Sequence, residues 1–237
     1  RGLRRMLVAI RSGVRAYSGL LERRPLTTKA VTAGALMGLG DFLAQSIEHQ
    51  RTPGEQKLLA EHKASRELEK EVEEYRKSGF WESYDWMRTG RMAATGLFVV
   101  GPALHGWYGL LDKVVKVQGS ARKVALVKLG LDQGLFAPAI IAAVYVAMGV
   151  MEGKGPDGIK ESFRESYWDA FKMNYVIWPL GNYFNFRYVP AEYRVLYAST
   201  LSLMWNTILS NVRNYQESAG KEPLEIEAGP GAMVPTD

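Results

Sequence analysis

The residues able to do chemistry are few, and most sit where charge is otherwise missing. Asp41 interrupts a run that is uncharged on both sides, over 30–40 and 42–47, with Gln45 one helical turn beyond it. Asp132 precedes a second uncharged run, 133–151, which opens on Gln133 and carries Pro138 about one and a half turns further on. His105 lies in the stretch GPALHGWY, and Asn174, Trp178, Asn182 and Asn185 crowd a segment that leads through Pro190 to Arg194. A carboxylate flanked by apolar helix normally faces a cationic partner or a wet cavity. Asp41 is therefore expected to pair with Arg88 or Arg91, or to face an internal cavity. The same reasoning covers Asp132 with Gln133. Proline frees a backbone carbonyl, and the three asparagines are amides able to satisfy such groups. His105 reads as a hydrogen-bonded structural residue, with a pH-sensing role as its sharper reading.

Other chemistries are excluded or unsupported. The chain has no cysteine, which removes disulfides, thiolate zinc sites, iron–sulfur clusters and cysteine nucleophiles. His49, His62 and His105 are too scattered for a histidine-rich metal site. The glycine-rich stretch after Glu152 lacks the spacing of a phosphate loop. Nothing assembles a nucleophile, a base and an oxyanion stabiliser. The chain is thus expected to be no enzyme and to use no cofactor.

The elements that must position these residues follow from where the 55 charged residues of the 237 are bunched. Runs 92–111, 133–151 and 195–212 are uncharged, as is 30–47 apart from Asp41. A membrane-spanning helix needs roughly 20 mostly apolar residues, and lipid admits only helices or closed barrels. The apolar runs are continuous rather than alternating. The expected fold is therefore all-α, an integral membrane protein with a four-helix transmembrane bundle. Its spans are expected near 28–48, 88–112, 125–151 and 193–213. The shorter aromatic stretch within 168–190 is expected to form an interfacial or partly re-entrant corner. Ala30, Gly34 and Gly38 recur every four residues and read as a close helix–helix seam.

Three further segments flank or interrupt this membrane domain of 28–213. Residues 1–27 form a basic amphipathic segment, compatible with a targeting remnant or with an anionic lipid surface; nucleic acid is not an expected partner. Residues 51–80 are a charged insertion with a thin apolar stripe at Leu68, Val72 and Tyr75. A helix over 55–78 would need tertiary contacts to stay ordered, so a partner protein is one expectation there. Residues 214–237 are acidic, rich in Pro and Gly, and expected to be a disordered tail.

The sequence resembles the Mpv17/PMP22 family of small organellar membrane proteins, and its Mpv17/Sym1 branch most closely. Trp178-Pro179, Asn185-Phe186, Val189-Pro190, Arg194, Trp205 and Leu209-Ser210 carry the resemblance most specifically. Thr32 to Asp41 with Gln45, then Gly101-Pro102, Trp107-Tyr108, and Asp132-Gln133 with Pro138 extend it upstream. The matches cover residues 17–47 and 85–212. Two departures stand out: Asn182 where the family usually has Gln, and the long charged insertion. The resemblance implies four membrane helices, residence in the mitochondrial inner membrane or alternatively the peroxisomal membrane, and pore-forming activity tied to organelle homeostasis.

The expected function is a weakly selective channel or small-solute passage, lined or supported by Asp41, Asp132, Gln133, Asn174 and Asn182. The alternative is a non-catalytic structural or accessory subunit of a larger membrane complex, with the 51–80 insertion as its docking feature. A homo-oligomer fits the first reading.

Overall fold

A computed structural model describes residues 2–62, 80–116 and 119–204. The described residues are helical almost throughout. Helix α1 is Gly2–Arg23 and α2 is Pro25–His62, followed by a single turn, α3, at Phe80–Ser83. Helix α4 covers 86–114 and α5 is Ala121–Met151; each contains a π turn, at Gly96–Val100 and Asp132–Phe136 respectively. Helix α6 is Pro156–Tyr188, a 3-10 turn follows at Ala191–Tyr193, and α7 begins at 194 and is described to 204.

Local sequence sets these boundaries. The Asp85 side chain accepts the backbone N–H of Arg88 at 2.8 Å and caps α4, satisfying one of the donors every helix start leaves orphaned. Ser120 caps α5 in the same way. After α5, Gly153 takes a φ of 72°, a left-handed turn open to glycine, and Pro156 then starts α6. The two π turns share a cause. Pro102 and Pro138 have no N–H to give, and the residue before each reaches five positions back instead. Gly101 N–H bonds the Gly96 carbonyl, and Ala137 N–H bonds that of Asp132.

Helices α2 and α4 run antiparallel, since Gln45 meets Asp85 at one end and Ala30 meets Gly101 at the other. The expected seam is present. A methyl group placed on Gly96 would lie 2.7 Å from the Ala33 carbonyl oxygen, and one on Gly34 would lie 2.9 Å from that of Ala93. The small residues thus put backbone against backbone, as packing inside lipid favours. Helices α5 and α6 are also antiparallel: Gly149 faces Ile159, the Tyr167 hydroxyl bonds the Pro138 carbonyl, and Asn174 bonds Gln133.

The surface is inverted relative to a water-soluble bundle. Phe98, Leu135, Val146, Val176 and Leu180 point outward, while Asp41, Gln45, Asp132, Gln133, Asn182 and Asn185 are buried. Among the described residues two helical stretches are long and apolar enough to cross a membrane, Pro25–Ile47 and Ala121–Met151. An aromatic cluster of Phe42, Phe80, Trp81, Tyr84 and Trp86 gathers where α2 approaches the start of α4, the amphipathic ring type favoured at membrane–water boundaries.

One expectation is overturned. Residues 168–190 do not form a corner; all but the last two belong to a single 33-residue helix, about 50 Å long. It lies along α5 from Gly149 to Asp132. Pro179 is held inside it, because the helix packs on one side against α5 and on another, through Gly181 and Leu201, against α7. The apolar stretch Pro25–Ile47 agrees with the first expected span, but its helix continues unbroken to His62. Of the expected insertion, residues 63–79 lie outside the described residues, and with them the apolar stripe at Leu68, Val72 and Tyr75. The end of the last expected span, 205–213, and the tail also lie outside them.

Candidate functional site

Three polar networks run through the bundle interior, and every candidate residue read from the sequence except His105 and Trp178 belongs to one of them. The first lies near the aromatic cluster. Asp41 pairs with Arg88 at 2.8 Å, the first of the two expected partners. Its second oxygen accepts from Gln45 at 2.7 Å and from the Thr89 hydroxyl. Gln45 in turn bonds both the N–H and the carbonyl of Asp85, locking α2 onto the cap of α4. Arg91, the other expected partner, instead lies between Asp85 at 3.8 Å and Glu152 at 3.6 Å. The charge of Asp41 is thus balanced inside the protein.

The second network is different. Asp132 is 1% exposed and is held by neutral donors: Trp107 Nε1 at 2.9 Å, Gln133 Nε2 at 2.9 Å and Asn182 Nδ2 at 2.7 Å. Among the described residues no cationic side chain bonds it. In a regular helix two consecutive side chains diverge by about 100°, which would turn one of the pair Asp132–Gln133 away. The π turn reshapes the helix here, and both are buried. It also leaves the Gln133 carbonyl without a helical donor, because Pro138 has none; the Tyr175 hydroxyl supplies one at 2.7 Å. Asn174 then bonds the Gln133 side chain at 3.0 Å.

Beside Asp132 lies a partly open cavity of about 160 Å³, lined by residues of α2, α4, α5, α6 and α7. Its polar lining includes Asp132, Asn174, Asn182, Tyr108 and Ser202; Met92, Val144 and Trp178 are among the apolar walls. Asn182 Oδ1 is buried and has no hydrogen-bond partner among the described residues. Such an orphaned acceptor is rare in folded proteins, and here it belongs to the small polar patch of a cavity whose walls are mostly apolar.

The third network closes the opposite end of the bundle. Arg194 grips Asp112 with two bonds of 2.7 and 2.9 Å from Nη1, and Lys128 Nζ bonds the same carboxylate. Asn185 is buried beneath it and donates to the Tyr108 hydroxyl at 3.4 Å and to the Arg194 carbonyl at 3.3 Å. His105 is half-buried on α4, and its Nδ1 has no hydrogen-bond partner among the described residues. Trp178 packs on the apolar cluster around Leu104, Tyr108 and Val195.

The sequence reading missed Thr89, Asp112, Lys128, Trp107 and Tyr175. Asp112 and Lys128 fall just outside the uncharged runs, at the edges of two expected spans, and nothing in the sequence paired them. Trp107 entered only through the family resemblance, and Tyr175 not as a site residue.

Relatives match more than four-fifths of the chain. Protein sym-1 of Neurospora crassa is 36% identical over 194 residues, 82% of this chain and 95% of that protein. PXMP2/4 family protein 2 of Dictyostelium discoideum is 36% identical over 83% of this chain and 88% of that one. The chain belongs to the Mpv17/PMP22 family. The family's own sequence profile, described as Mpv17 / PMP22 family, matches residues 149–210, which include all of α6. The mitochondrial inner membrane protein Mpv17 of Rattus norvegicus is 32% identical over 83% of this chain and 94% of that one. With such relatives the protein is placed in the mitochondrial inner membrane. No solved structure matches the chain.

Proposed function

We propose that this Mpv17/PMP22-family protein is a non-catalytic passage for small solutes across the mitochondrial inner membrane, with a preference for cations. In this reading the helical bundle crosses the bilayer and α6 crosses with α5, alongside the four spans expected from the sequence. The observation that carries it is the carboxylate of Asp132, buried beside a cavity large enough for several waters and held, among the described residues, by neutral donors. A carboxylate in such a place is expensive unless it serves a path or relay. The Asp41–Arg88 pair, by contrast, is already balanced and acts as a fastener between α2 and α4.

The passage is tested by filling it. Ala170 is buried and lines the cavity. Purified protein in liposomes should release entrapped potassium faster than protein-free liposomes. Ala170→Leu should cut that release several-fold while the protein stays folded. Release that matches protein-free liposomes, or that is indifferent to filling the cavity, removes the reading.

A second reading has one observation in its favour. Helix α2 runs on to His62, 15 residues past the apolar stretch that ends at Ile47, about 22 Å at helical rise. That arm suits a subunit docked in a larger membrane assembly. Gentle detergent extraction separates the two: a lone small oligomer supports the passage, and stable migration with a large complex supports the subunit.

A further inference from the structure

The donors and acceptors around the cavity do not balance. A carboxylate offers about four acceptor positions. Asp132 Oδ2 takes bonds from Gln133 and Asn182, and Oδ1 takes one from Trp107. Oδ1 thus keeps an acceptor position uncommitted among the described residues. The same contact fixes the orientation of the Asn182 amide. Its Nδ2 lies 2.7 Å from Asp132 Oδ2, and a turned amide would set oxygen against oxygen. Asn182 Oδ1 is therefore an acceptor, buried and without a partner among the described residues. Both residues line the cavity, and they are only 1% and 5% exposed.

The other polar groups of the lining are bonded within the bundle. Asn174 donates to Gln133 at 3.0 Å, Ser202 donates to the Ala198 carbonyl at 3.0 Å, and the Tyr108 hydroxyl receives Asn185. Most of the remaining wall is apolar, with Met37, Met92, Met173, Phe136 and Trp178 among its residues. Thioether chains adapt to the shape of an occupant, and aromatic faces attract cations. A divalent metal is poorly served here. Such ions take about six or more oxygen ligands, and among the described residues no group of three or more His, Asp or Glu side chains is placed to hold one. The space suits a single ring: an apolar cavity of about 150 Å³ accepts one benzene molecule, and this cavity has about 160 Å³.

We infer that this cavity binds a small organic ammonium ion carried on an apolar body of about one ring, with Asp132 and Asn182 receiving its N–H groups. A primary ammonium supplies three donors and a positive charge. It satisfies Asp132 Oδ1 and Asn182 Oδ1 together, and it gives the carboxylate the counter-charge that no described side chain provides. Its apolar body rests on the methionine and aromatic wall. Bonds between ionised partners are roughly twice as strong as those between neutral ones, so the site discriminates an amine from an alcohol of the same shape. The inference rests on the cavity and carboxylate of the proposed passage and names the class of solute they select. An ammonium ion lodged there also obstructs that passage.

The test uses the full chain in neutral detergent. Benzylammonium is the probe, benzyl alcohol its uncharged match, and methylammonium the charge without the ring. Binding is read as saturable thermal stabilisation and by isothermal titration, each against detergent alone. Benzylammonium should bind roughly tenfold or more tightly than benzyl alcohol, the equivalent of one charge-assisted bond, and than methylammonium, which buries no ring. Asp132→Asn should lose the preference for amine over alcohol. Ala170→Leu fills the cavity from its apolar side and should weaken benzylammonium binding by a similar factor with Asp132 intact. The comparison of the three probes on the unaltered chain needs no variant to fold. No saturable binding of benzylammonium, or equal affinity for benzylammonium and benzyl alcohol, overturns the site, as does binding that a folded Ala170→Leu leaves unchanged. Potassium release from liposomes is read separately. Benzylammonium binding without release removes the passage and leaves the site; cavity-dependent release without benzylammonium binding removes the site and leaves the passage.

Discussion

Replacing Gly96 by alanine tests whether the α2–α4 seam is a backbone contact. The added methyl would sit 2.7 Å from both the Ala33 carbonyl oxygen and Gly34 Cα, where ordinary contact begins at 3.4 Å. Neither obstacle is the end of a flexible side chain, so the helices must part locally by roughly 0.7 Å, the shortfall between those two distances. Overpacking of this kind costs about 1–3 kcal/mol. A radial gap of ~0.5–1 Å also forfeits a quarter to a half of the dispersion energy of the neighbouring contacts. Against this stands the intrinsic helical gain of alanine over glycine, up to about 1 kcal/mol. The net expectation for Gly96→Ala is a loss of about 1–2 kcal/mol. Gly101→Ala should behave alike, since its methyl would meet Ala30 Cα at 2.6 Å. Gly106→Ala and Gly109→Ala are the controls: a methyl there has nothing within 4 Å, so they should be neutral or slightly stabilising. Unfolding in mixed micelles with increasing denaturing detergent ranks all four variants. Equal stability of Gly96→Ala and Gly106→Ala would refute the seam as described.

Other expectations follow from the polar networks. Asp41→Asn removes the carboxylate that pairs with the largely buried Arg88 and should destabilise the protein, by up to about 3 kcal/mol, while the double variant Asp41→Asn/Arg88→Gln should cost less than the sum of the single changes; thermal unfolding of the variants checks this. Tyr175→Phe removes the donor that satisfies the Gln133 carbonyl and should cost about 1 kcal/mol. In a Pro138→Ala background, where a backbone N–H is restored, the same change should cost measurably less, which a double-mutant cycle reads directly. Arg194→Lys keeps the charge but loses the paired bonds to Asp112, and should lower the melting temperature more than Lys128→Arg does.

What the sequence made legible depended on whether a rule acts on one residue or on a packed face. Asp41 was readable because a lone acid in an apolar run must find a cation, and only Arg88 and Arg91 were close enough in the next helix. The repeat Ala30, Gly34, Gly38 was readable as a seam. Its counterpart was not, because Gly96 and Gly101 are five apart and only a π turn brings both to the same neighbour. Helix α6 was misread for a physical reason. Its polar residues Asn174, Asn182 and Asn185 turn inward onto Gln133, Asp132 and Tyr108, while Val176, Leu180 and Phe184 turn outward. Reading charge and hydropathy along the chain averages those two faces, and Pro179 completed the appearance of a corner. The lack of a cation at Asp132 was beyond the sequence, since spacing alone named no partner for it and only the packing shows that Arg88, Arg91 and Arg194 are engaged elsewhere.

In the proposed passage the carboxylate of Asp132, with no cationic partner among the described residues, sets the ion preference. The most direct test is the reversal potential of the purified protein in a planar bilayer under a potassium chloride gradient, measured for the unaltered chain and for Asp132→Asn. Asparagine keeps the size of the side chain and can still accept from Trp107, but removes the charge. The account predicts a cation-selective reversal potential for the unaltered protein that moves toward zero in Asp132→Asn while Asp41→Asn, where it folds, leaves it in place. A reversal potential unchanged by Asp132→Asn, or anion selectivity in the unaltered protein, would contradict it.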